Sequence, residues 1–333
     1  MKSVIGSWGL ARRALASALV AAAAAVPLGC GDDGNGGAVD ASTALRENVD
    51  FPRPSNRSFR DLIGHFRQGP VVAPSVSLLE PGANRFGFAL FDRGNRQIGG
   101  LDVALYVAGG LDETAHCPFE ADYNRIEVES EFQSRNSAQD PDSARSVYVA
   151  QVKFPRPGSY VVSAVTKLNG RLVAASPAQV RVRRDSRIPG VGDRAVRVHT
   201  PTVESVGGNV EQIETRVPPD SMHEVDLADA LERGRPVALL FSSPALCESR
   251  VCGPVTDVAE QVKSEFEDQA DFIHVEFYED NDVSKGARSQ ALAWRLDSEP
   301  WLFTIDADGV VAARIQGAFS ADELRDAVRR ALR

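Results

Sequence analysis

The stretch VALLFSSPALCESRVCGPVTDVAEQV, residues 237–262, decides the fold of the last third of the chain. Its first five residues are a continuous apolar run, which is typical of a strand buried on both faces. A loop with Cys247 and Cys252 follows, and Pro254 favours the start of a helix because proline fits a first turn. Apolar side chains then recur on one face of that helix, at Val255, Val258, Ala259, Val262 and Phe266.

The residues around this stretch extend the pattern to a complete α/β unit. Asp226 has the character of a helix N-cap and precedes a short predicted helix over residues 227–233, which ends at Gly234. Further strands are predicted at 272–278, 301–305 and 310–315, and further helices at 286–295 and 321–332. This order of elements requires a mixed sheet with helices on both faces.

The order of elements and the residues at its joints resemble the thioredoxin fold over residues 222–333. The apolar strand ends at Phe241 and leads into the cysteine loop. The resemblance also rests on the triplets Cys252-Gly253-Pro254 at a helix start and Glu299-Pro300-Trp301 where the family has its cis-proline. Finally, Gly317-Ala318-Phe319-Ser320 precedes the last helix.

The resemblance implies thiol–disulfide exchange, with Cys247 and Cys252 as the catalytic pair and Pro300 shaping the site. This chain departs from the family in having a C-x4-C spacing, with Val255 where the second cysteine would stand. The position of the family's buried aspartate falls at Leu240. The resemblance does not decide which cysteine attacks, or in which direction electrons flow.

The spacing of the two cysteines limits how they can meet. Residues five apart on one helix point about 140° apart, so the thiols approach each other only if Cys247 lies in the loop and Cys252 near the helix start. A thiolate there is stabilised by the helix N-terminus, and Arg250 adds a positive charge nearby. The expected chemistry is a mixed disulfide resolved by the second cysteine.

Other interpretations of the cysteine pair stay open. The pair could be a structural disulfide in a non-catalytic binding module of thioredoxin fold. It could also bind copper in the manner of a metallochaperone, because thiolates suit Cu(I), with Cys247, Cys252 and His223 as the candidate ligands. His223 is otherwise expected in a loop or capping role, and His274 as a packed core residue. No other metal site and no cofactor are predicted.

Residues 72–184 have the pattern of an antiparallel β domain. Short alternating runs are separated by turn residues, including Asn169-Gly170, a strong hairpin signal. The layout resembles an immunoglobulin-like β-sandwich in architecture alone, and such a module binds a partner or sets a distance. Residues 185–221 are rich in proline and glycine and are predicted to be an extended connector.

The first 29 residues have the character of an export signal. Lys2, Arg12 and Arg13 precede an apolar run over residues 14–26, which is too short to cross a bilayer. The end of this segment resembles a bacterial lipoprotein signal, which implies lipidation of Cys30. Residues 30–58 are predicted to be a flexible tether. We therefore expect a lipid-anchored protein of the cell envelope or, if Cys30 is not modified, a secreted one.

Composition and charge limit the classes of binding partner that we expect. The chain has 333 residues and a formal net charge of −9. Without residues 1–29, which carry three basic side chains and no acidic one, the charge is −12. So acidic a chain repels phosphate backbones, which excludes nucleic acid as an expected partner. The expected partners are thiols or disulfides of exported proteins, and the membrane through the N-terminal lipid. Cys117, in the β domain, has no evident partner in the sequence.

Overall fold

Ten strands from the first part of the chain pair into one antiparallel-rich, curled sheet. The structure, a computed structural model, describes residues 49–116, 118–184 and 186–333. The lipidation candidate Cys30, the export signal and Cys117 lie outside these residues. The elements of the first part are α1 (Phe59–Gly64), β1 (Arg67–Gln68), β2 (Val71–Pro74), β3 (Gly82–Phe91), β4 (Gln97–Ile98), β5 (Val103–Ala108), β6 (Phe119–Arg125), α2 (Arg135–Gln139), β7 (Ser146–Phe154), β8 (Gly158–Leu168), β9 (Arg171–Ala174) and β10 (Ala178–Val182).

The hydrogen bonds of this first sheet follow one path. Its strand order is β1-β9-β8-β5-β6-β7-β3-β2, with β10 added to β8 and β4 to β3. All pairs are antiparallel except β1 with β9. The predicted antiparallel β domain is therefore confirmed. The two-sheet immunoglobulin-like arrangement is not, since the strands share one sheet whose inward side chains form one core.

Sequence signals explain the local structure of this sheet. Phe86, Phe88 and Leu90 alternate along β3 and are fully buried in its core. The predicted hairpin at Asn169-Gly170 joins β8 to β9. Both turn residues have positive φ, 51° and 76°, a conformation that asparagine and glycine adopt most readily. Strand β6 was not predicted, because its residues are mostly polar and half-exposed.

The second part of the chain forms a four-stranded mixed sheet. Its elements are α3 (Leu227–Glu232), β11 (Val237–Phe241), α4 (Cys252–Phe266), β12 (Asp271–Val275), α5 (Ser289–Ala293), β13 (Trp301–Ile305), β14 (Val311–Gln316) and α6 (Ala321–Ala331). The strand order is β12-β11-β13-β14, and only β11 and β12 run parallel. The predicted mixed sheet is thereby confirmed.

Strand β11 is buried on both faces, as its apolar run predicts. Ala238 and Leu240 face the core that α4 and α6 cover. Leu239 and Phe241 face the opposite core, which α3 and α5 cover. The helix bounds differ from the prediction by one to three residues: α5 is shorter at both ends, α4 begins at Cys252, two residues before Pro254, and α3 and α6 each end one residue earlier.

The predicted connector lies against the second sheet over much of its length. Ile188, Val196 and Val198 pack in the core that also contains Phe241. Apart from a short 3₁₀ helix at Val210–Gln212, this segment forms no regular element among its described residues. Its irregular backbone nevertheless supplies several fully buried charged side chains, described below.

The two sheets also contact each other directly. Arg85 of β3 forms an ion pair with Glu323 of α6, at 2.7 Å, and Arg314 of β14 forms one with Glu80, also at 2.7 Å. Val147 and Val149 of β7 belong to the same apolar core as α4 and α6. The β domain and the second sheet therefore share part of their interior.

Candidate functional site

The cysteine loop lies between the end of β11 and the start of α4. Cys247 and Cys252 form a disulfide, with their Cα atoms 5.9 Å apart. The chain turns tightly there, since the backbone N–H of Cys247 donates to Ser243 and that of Arg250 donates to Cys247. The geometry matches the only way the C-x4-C spacing allows the sulfurs to meet, with Cys247 in the loop and Cys252 at the helix start.

The two sulfurs differ in their access to solvent. Cys247 is partly exposed, and its sulfur lies 3.1 Å from the hydroxyl of Ser249. Cys252 is fully buried in the first turn of α4. No side chain caps that helix start, so its first backbone N–H groups have no side-chain acceptor there. A reagent that approaches from solvent therefore meets Cys247 first.

Arg250 does not act as an isolated positive charge near the thiols. Its guanidinium pairs with Asp140 at 3.0 Å and Asp142 at 2.5 Å. Both carboxylates belong to the segment between β6 and β7, residues 126–145, which we call the cover loop. Because two carboxylates neutralise it, Arg250 contributes less to thiolate stabilisation than the sequence suggests.

The cover loop and the cysteine loop together line a cavity of about 260 Å³ beside the disulfide. The backbone N–H of Ala144 donates to Arg250, which ties the two loops together. The lining residues come from both parts of the chain: Asn136, Asp140, Ser143, Pro244, Ala245, Cys247, Arg250, Gly253 and Pro254.

A buried acid lies beside the disulfide, at a position that sequence reasoning did not select. A carboxylate oxygen of Glu299 lies within 4.8 Å of both cysteine sulfurs. Both oxygens are buried, and neither has a hydrogen-bond partner among the described residues. Burial and then the charge of Glu276 raise the pKa of Glu299 to about 8. At neutral pH its carboxyl group therefore holds a proton.

The peptide bond between Glu299 and Pro300 is cis, as the thioredoxin resemblance implies for this position. The carbonyl of Pro300 accepts a hydrogen bond from the backbone N–H of Gly317 at 2.9 Å, which links two of the predicted fold markers. This loop holds Glu299 beside the sulfurs. Leu240, the position of the family's buried aspartate, is packed in the apolar core instead.

Glu276 continues the buried polar region away from the disulfide. One of its carboxylate oxygens accepts hydrogen bonds from the backbone N–H and the hydroxyl of Thr215, each at 2.7 Å. Its other oxygen has no partner among the described residues. Burial raises the pKa of Glu276 to about 7.

A second cluster of ionisable side chains, which we call the buried tetrad, consists of Glu214, Asp220, His223 and His274. All four are at most 7% exposed. Burial opposes charge on both partners, yet the carboxylates raise the pKa of His274 well above its usual value, and the histidines lower the pKa of Glu214. The tetrad is therefore a buried ionic cluster.

The tetrad separates one candidate copper ligand from the others. His223, predicted with Cys247 and Cys252, lies among the carboxylates of the tetrad, whereas Glu299 is the side chain that joins the cysteines. His274, expected as a packed core residue, is fully buried and bonded to Asp220. Sequence reasoning missed Glu214 and Asp220, because both lie in the polar connector and no pattern marks them as buried.

A buried ion pair joins three segments next to these clusters. Arg216 of the connector donates to Asp257 of α4 at 2.9 Å and to the backbone carbonyl of Phe132 in the cover loop at 2.7 Å. Asp257 also accepts from the backbone and hydroxyl of Ser134. Burial raises the pKa of Asp257, against the opposing effects of Ser137 and Arg216.

Comparisons with known proteins gave a family match over the last third of the chain. Residues 223–332 match the family model described as a thioredoxin-like domain. No curated protein matches the chain. Among solved structures, a thiol:disulfide interchange protein of the thioredoxin family from Chlorobium tepidum TLS matches with 17% sequence identity. The match covers 45% of this chain and 99% of that one, with a TM-score of 0.30.

Residues 223–332 form a thioredoxin-like domain. The assignment rests on the family match, together with the mixed sheet order and the cysteine loop after β11. Within the described residues, no helix has the length and apolar character needed to span a bilayer.

Proposed function

We propose that this protein exchanges disulfides with other proteins through Cys247 and Cys252. The observation that carries the proposal is a disulfide with one reachable and one buried sulfur, at an uncapped helix start within a thioredoxin-like domain. A short loop gains little stability from closure, which argues against a purely structural bond.

The difference in exposure assigns the roles of the two sulfurs. A substrate thiolate attacks Sγ of Cys247, the bond between Cys247 and Cys252 breaks, and Cys252 leaves as a thiolate. A second substrate thiolate then attacks the substrate sulfur of the mixed disulfide and releases Cys247. The substrate gains a disulfide and the protein gains a dithiol; the reverse sequence reduces a substrate.

Glu299 is the group that can move the proton of the buried cysteine. Its protonated carboxyl lies within 4.8 Å of the sulfur of Cys252 and donates its proton to that sulfur as it leaves. In the reverse direction the carboxylate accepts this proton, so that Cys252 can attack the mixed disulfide. Proton transfer by a positioned group contributes roughly 10²–10⁴-fold to such steps. Pro300 holds the loop in which Glu299 lies.

Trapping a mixed disulfide tests the proposal directly. With oxidised glutathione, the Cys252→Ser variant should carry glutathione on Cys247, identified by peptide mass, while Cys247→Ser should stay unmodified at buried Cys252. The matched control Cys117→Ser should keep full activity in insulin reduction. Equal insulin reduction by wild type and Cys252→Ala would refute the exchange reaction.

The reduction potential of the pair distinguishes exchange from a structural bond. A value between about −120 and −270 mV fits an exchanger, and a value below about −300 mV fits a structural disulfide. The second value would favour a non-catalytic binding module of thioredoxin fold.

Copper binding is the second candidate function, and the group Cys247, Cys252 and Glu299 favours it because three ligand atoms converge there. Thiolates prefer Cu(I). This function requires one equivalent of Cu(I) per reduced chain, lost in Cys247→Ala. Absence of binding above that variant would exclude it.

We propose further that the protein works outside the cytoplasm, anchored through a lipid on Cys30, with exported proteins as partners. The apolar run after Arg13 and the Leu-Gly-Cys sequence at residues 28–30 support this proposal.

The β domain would then be an immunoglobulin-like spacer or docking module, and its contact with the cysteine loop favours docking. The lipid anchor itself is tested separately. Incorporation of a labelled fatty acid that Cys30→Ala abolishes is the expected result; equal labelling of that variant would contradict the anchor.

A further inference from the structure

The buried tetrad has no role in the exchange reaction proposed above. The free-energy cost of burying its charged groups therefore needs another explanation. Glu214, Asp220, His223 and His274 place two carboxylates and two imidazoles out of contact with solvent. Burying charged groups is expensive unless each is paired or bound to a metal ion. The tetrad also lies apart from the group formed by Cys247, Cys252 and Glu299.

The spacing of the ligand atoms fits one small metal ion. His223 Nε2 lies 3.1 Å from Glu214 Oε2 and 3.6 Å from Asp220 Oδ1. His274 Nδ1 lies 3.6 Å from Glu214 Oε2 and 2.7 Å from Asp220 Oδ2. A tetrahedral Zn²⁺ with bonds of about 2.0–2.1 Å spaces its ligand atoms about 3.3 Å apart. Asp220 faces the two histidines with different oxygens, and one ligand atom from each of the four residues lies within 4.8 Å of the other three, so the cluster is compact enough for one ion.

Three of the four residues have outer hydrogen bonds of the kind that orient metal ligands, whereas Nδ1 of His223 has no partner among the described residues. The Nε2 atom of His274 lies 2.9 Å from the carbonyl oxygen of Ser242, which can only accept, so this nitrogen carries a hydrogen. Its Nδ1 atom, which faces the carboxylates, therefore binds either a further proton or a cation. The carboxylates are also held from outside, because Glu214 accepts from the backbone N–H of Arg216 and Asp220 from that of Met222. Such outer partners orient metal ligands in proteins.

Charge also favours a divalent ion. A divalent cation between two neutral imidazoles and two carboxylates brings the charge to zero. Two nitrogen and two oxygen donors suit Zn²⁺, whereas Cu(I) prefers thiolates.

We propose that Glu214, Asp220, His223 and His274 hold a structural Zn²⁺ ion. Four protein ligands without solvent access are typical of a structural rather than a catalytic zinc site. The ion joins the connector, which supplies Glu214 and Asp220, to β12, which supplies His274. Because the ligands are enclosed, the metal enters as the chain folds.

The test measures zinc in a background that lacks the two thiolates of the cysteine loop. The chain with Cys247→Ser and Cys252→Ser is unfolded with a chelator and refolded with Zn²⁺, then freed of excess metal, and its zinc is measured by mass spectrometry. We expect about one equivalent per chain. Refolding with Co²⁺ should give visible absorption bands of a tetrahedral site.

Two variants and one control locate the ion. His223→Gln and His274→Gln should retain less than a tenth of an equivalent, while His199→Gln should bind as its parent does. His199 is a suitable control because it is an exposed histidine beside two aspartates. If His274→Gln does not fold, the zinc content of His223→Gln is compared with that of the parent alone.

Less than a tenth of an equivalent of zinc in the refolded parent would overturn the proposal. The tetrad would then be a proton-bearing ionic network only. Since the parent lacks both cysteines, this outcome leaves the exchange reaction untouched, and failure of the exchange reaction leaves the zinc site untouched.

Discussion

The two buried ionisable regions of this protein are built in opposite ways. Beside the disulfide, Glu299 keeps a carboxyl group without a hydrogen-bond partner among the described residues, next to a sulfur pair that solvent reaches on one side. In the buried tetrad and the neighbouring Arg216–Asp257 pair, charges meet opposite charges. A pocket with an unpartnered acid is suited to proton transfer, whereas paired charges are suited to holding segments together.

The largest effect is expected from breaking the buried pair. Arg216→Met leaves Asp257 buried without its counter-charge, and we expect the free energy of unfolding to fall by about 3–5 kcal/mol. Urea unfolding measures this change. The matched control is Arg60→Met, which breaks the exposed pair with Asp112 and should leave the free energy of unfolding nearly unchanged because solvent screens that pair. Equal losses in the two variants would contradict the distinction between paired interior charges and surface pairs.

A smaller effect, with a pH dependence, is expected from Glu299. Its pKa of about 8 in the folded protein lies above its ordinary value, so the folded state binds a proton that the unfolded state releases as pH rises. The contribution of Glu299 to stability is therefore greatest at low pH and is lost as pH rises through about 8. Relative to Glu299→Gln, the oxidised wild type should lose up to about 1.4 kcal/mol of unfolding free energy per pH unit between pH 5 and pH 8.

Urea unfolding of both oxidised proteins across that pH range measures the difference. The control Glu248→Gln removes an exposed carboxylate of the cysteine loop and should run parallel to wild type. If Glu299→Gln also runs parallel to wild type, Glu299 is ionised like a surface residue and cannot act as the proton donor proposed here.

The smallest effect is expected at the edge of the cysteine cavity. Arg250→Ala removes the pairs with Asp140 and Asp142, which loosens the cover loop and exposes Cys247 further. We expect the mixed disulfide with glutathione to form about two- to threefold faster, with a stability loss of at most about 1 kcal/mol. Stopped-flow reduction measures the rate. A slower reaction would mean that the cover loop assists exchange instead of limiting access.

Sequence patterns predicted the local elements well, and the long-range ionic contacts poorly. The apolar run 237–241 and the helical face from Val255 to Phe266 predicted β11 and α4 to within two residues. Alternation in the β domain predicted strands, yet it carries no information on whether strands share one sheet or two. The sequence identified Glu299 only as the residue before the predicted cis-proline. No pattern in the flanking residues predicts that its side chain is buried.

The buried charges show why the sequence did not predict the ionic contacts of the interior. Asp220 and His274 meet across 54 residues of sequence, and Arg216 and Asp257 across 41. A polar segment has the same composition whether its charges face water or face partners from distant elements. Only the folded chain decides which occurs, so the connector appeared to be a simple linker.

Because of the cover loop, neither half of the molecule can be joined to another protein without losing contacts. Ile126 at its start packs in the same core as α4, and Arg250 is anchored by its carboxylates. A chimera that joins residues 223–332 to another carrier would expose apolar side chains of α4 that Ile126 covers. It would also remove the loop that lies beside the disulfide. Part of the cover of α4 and the carboxylates that hold Arg250 therefore come from outside residues 223–332.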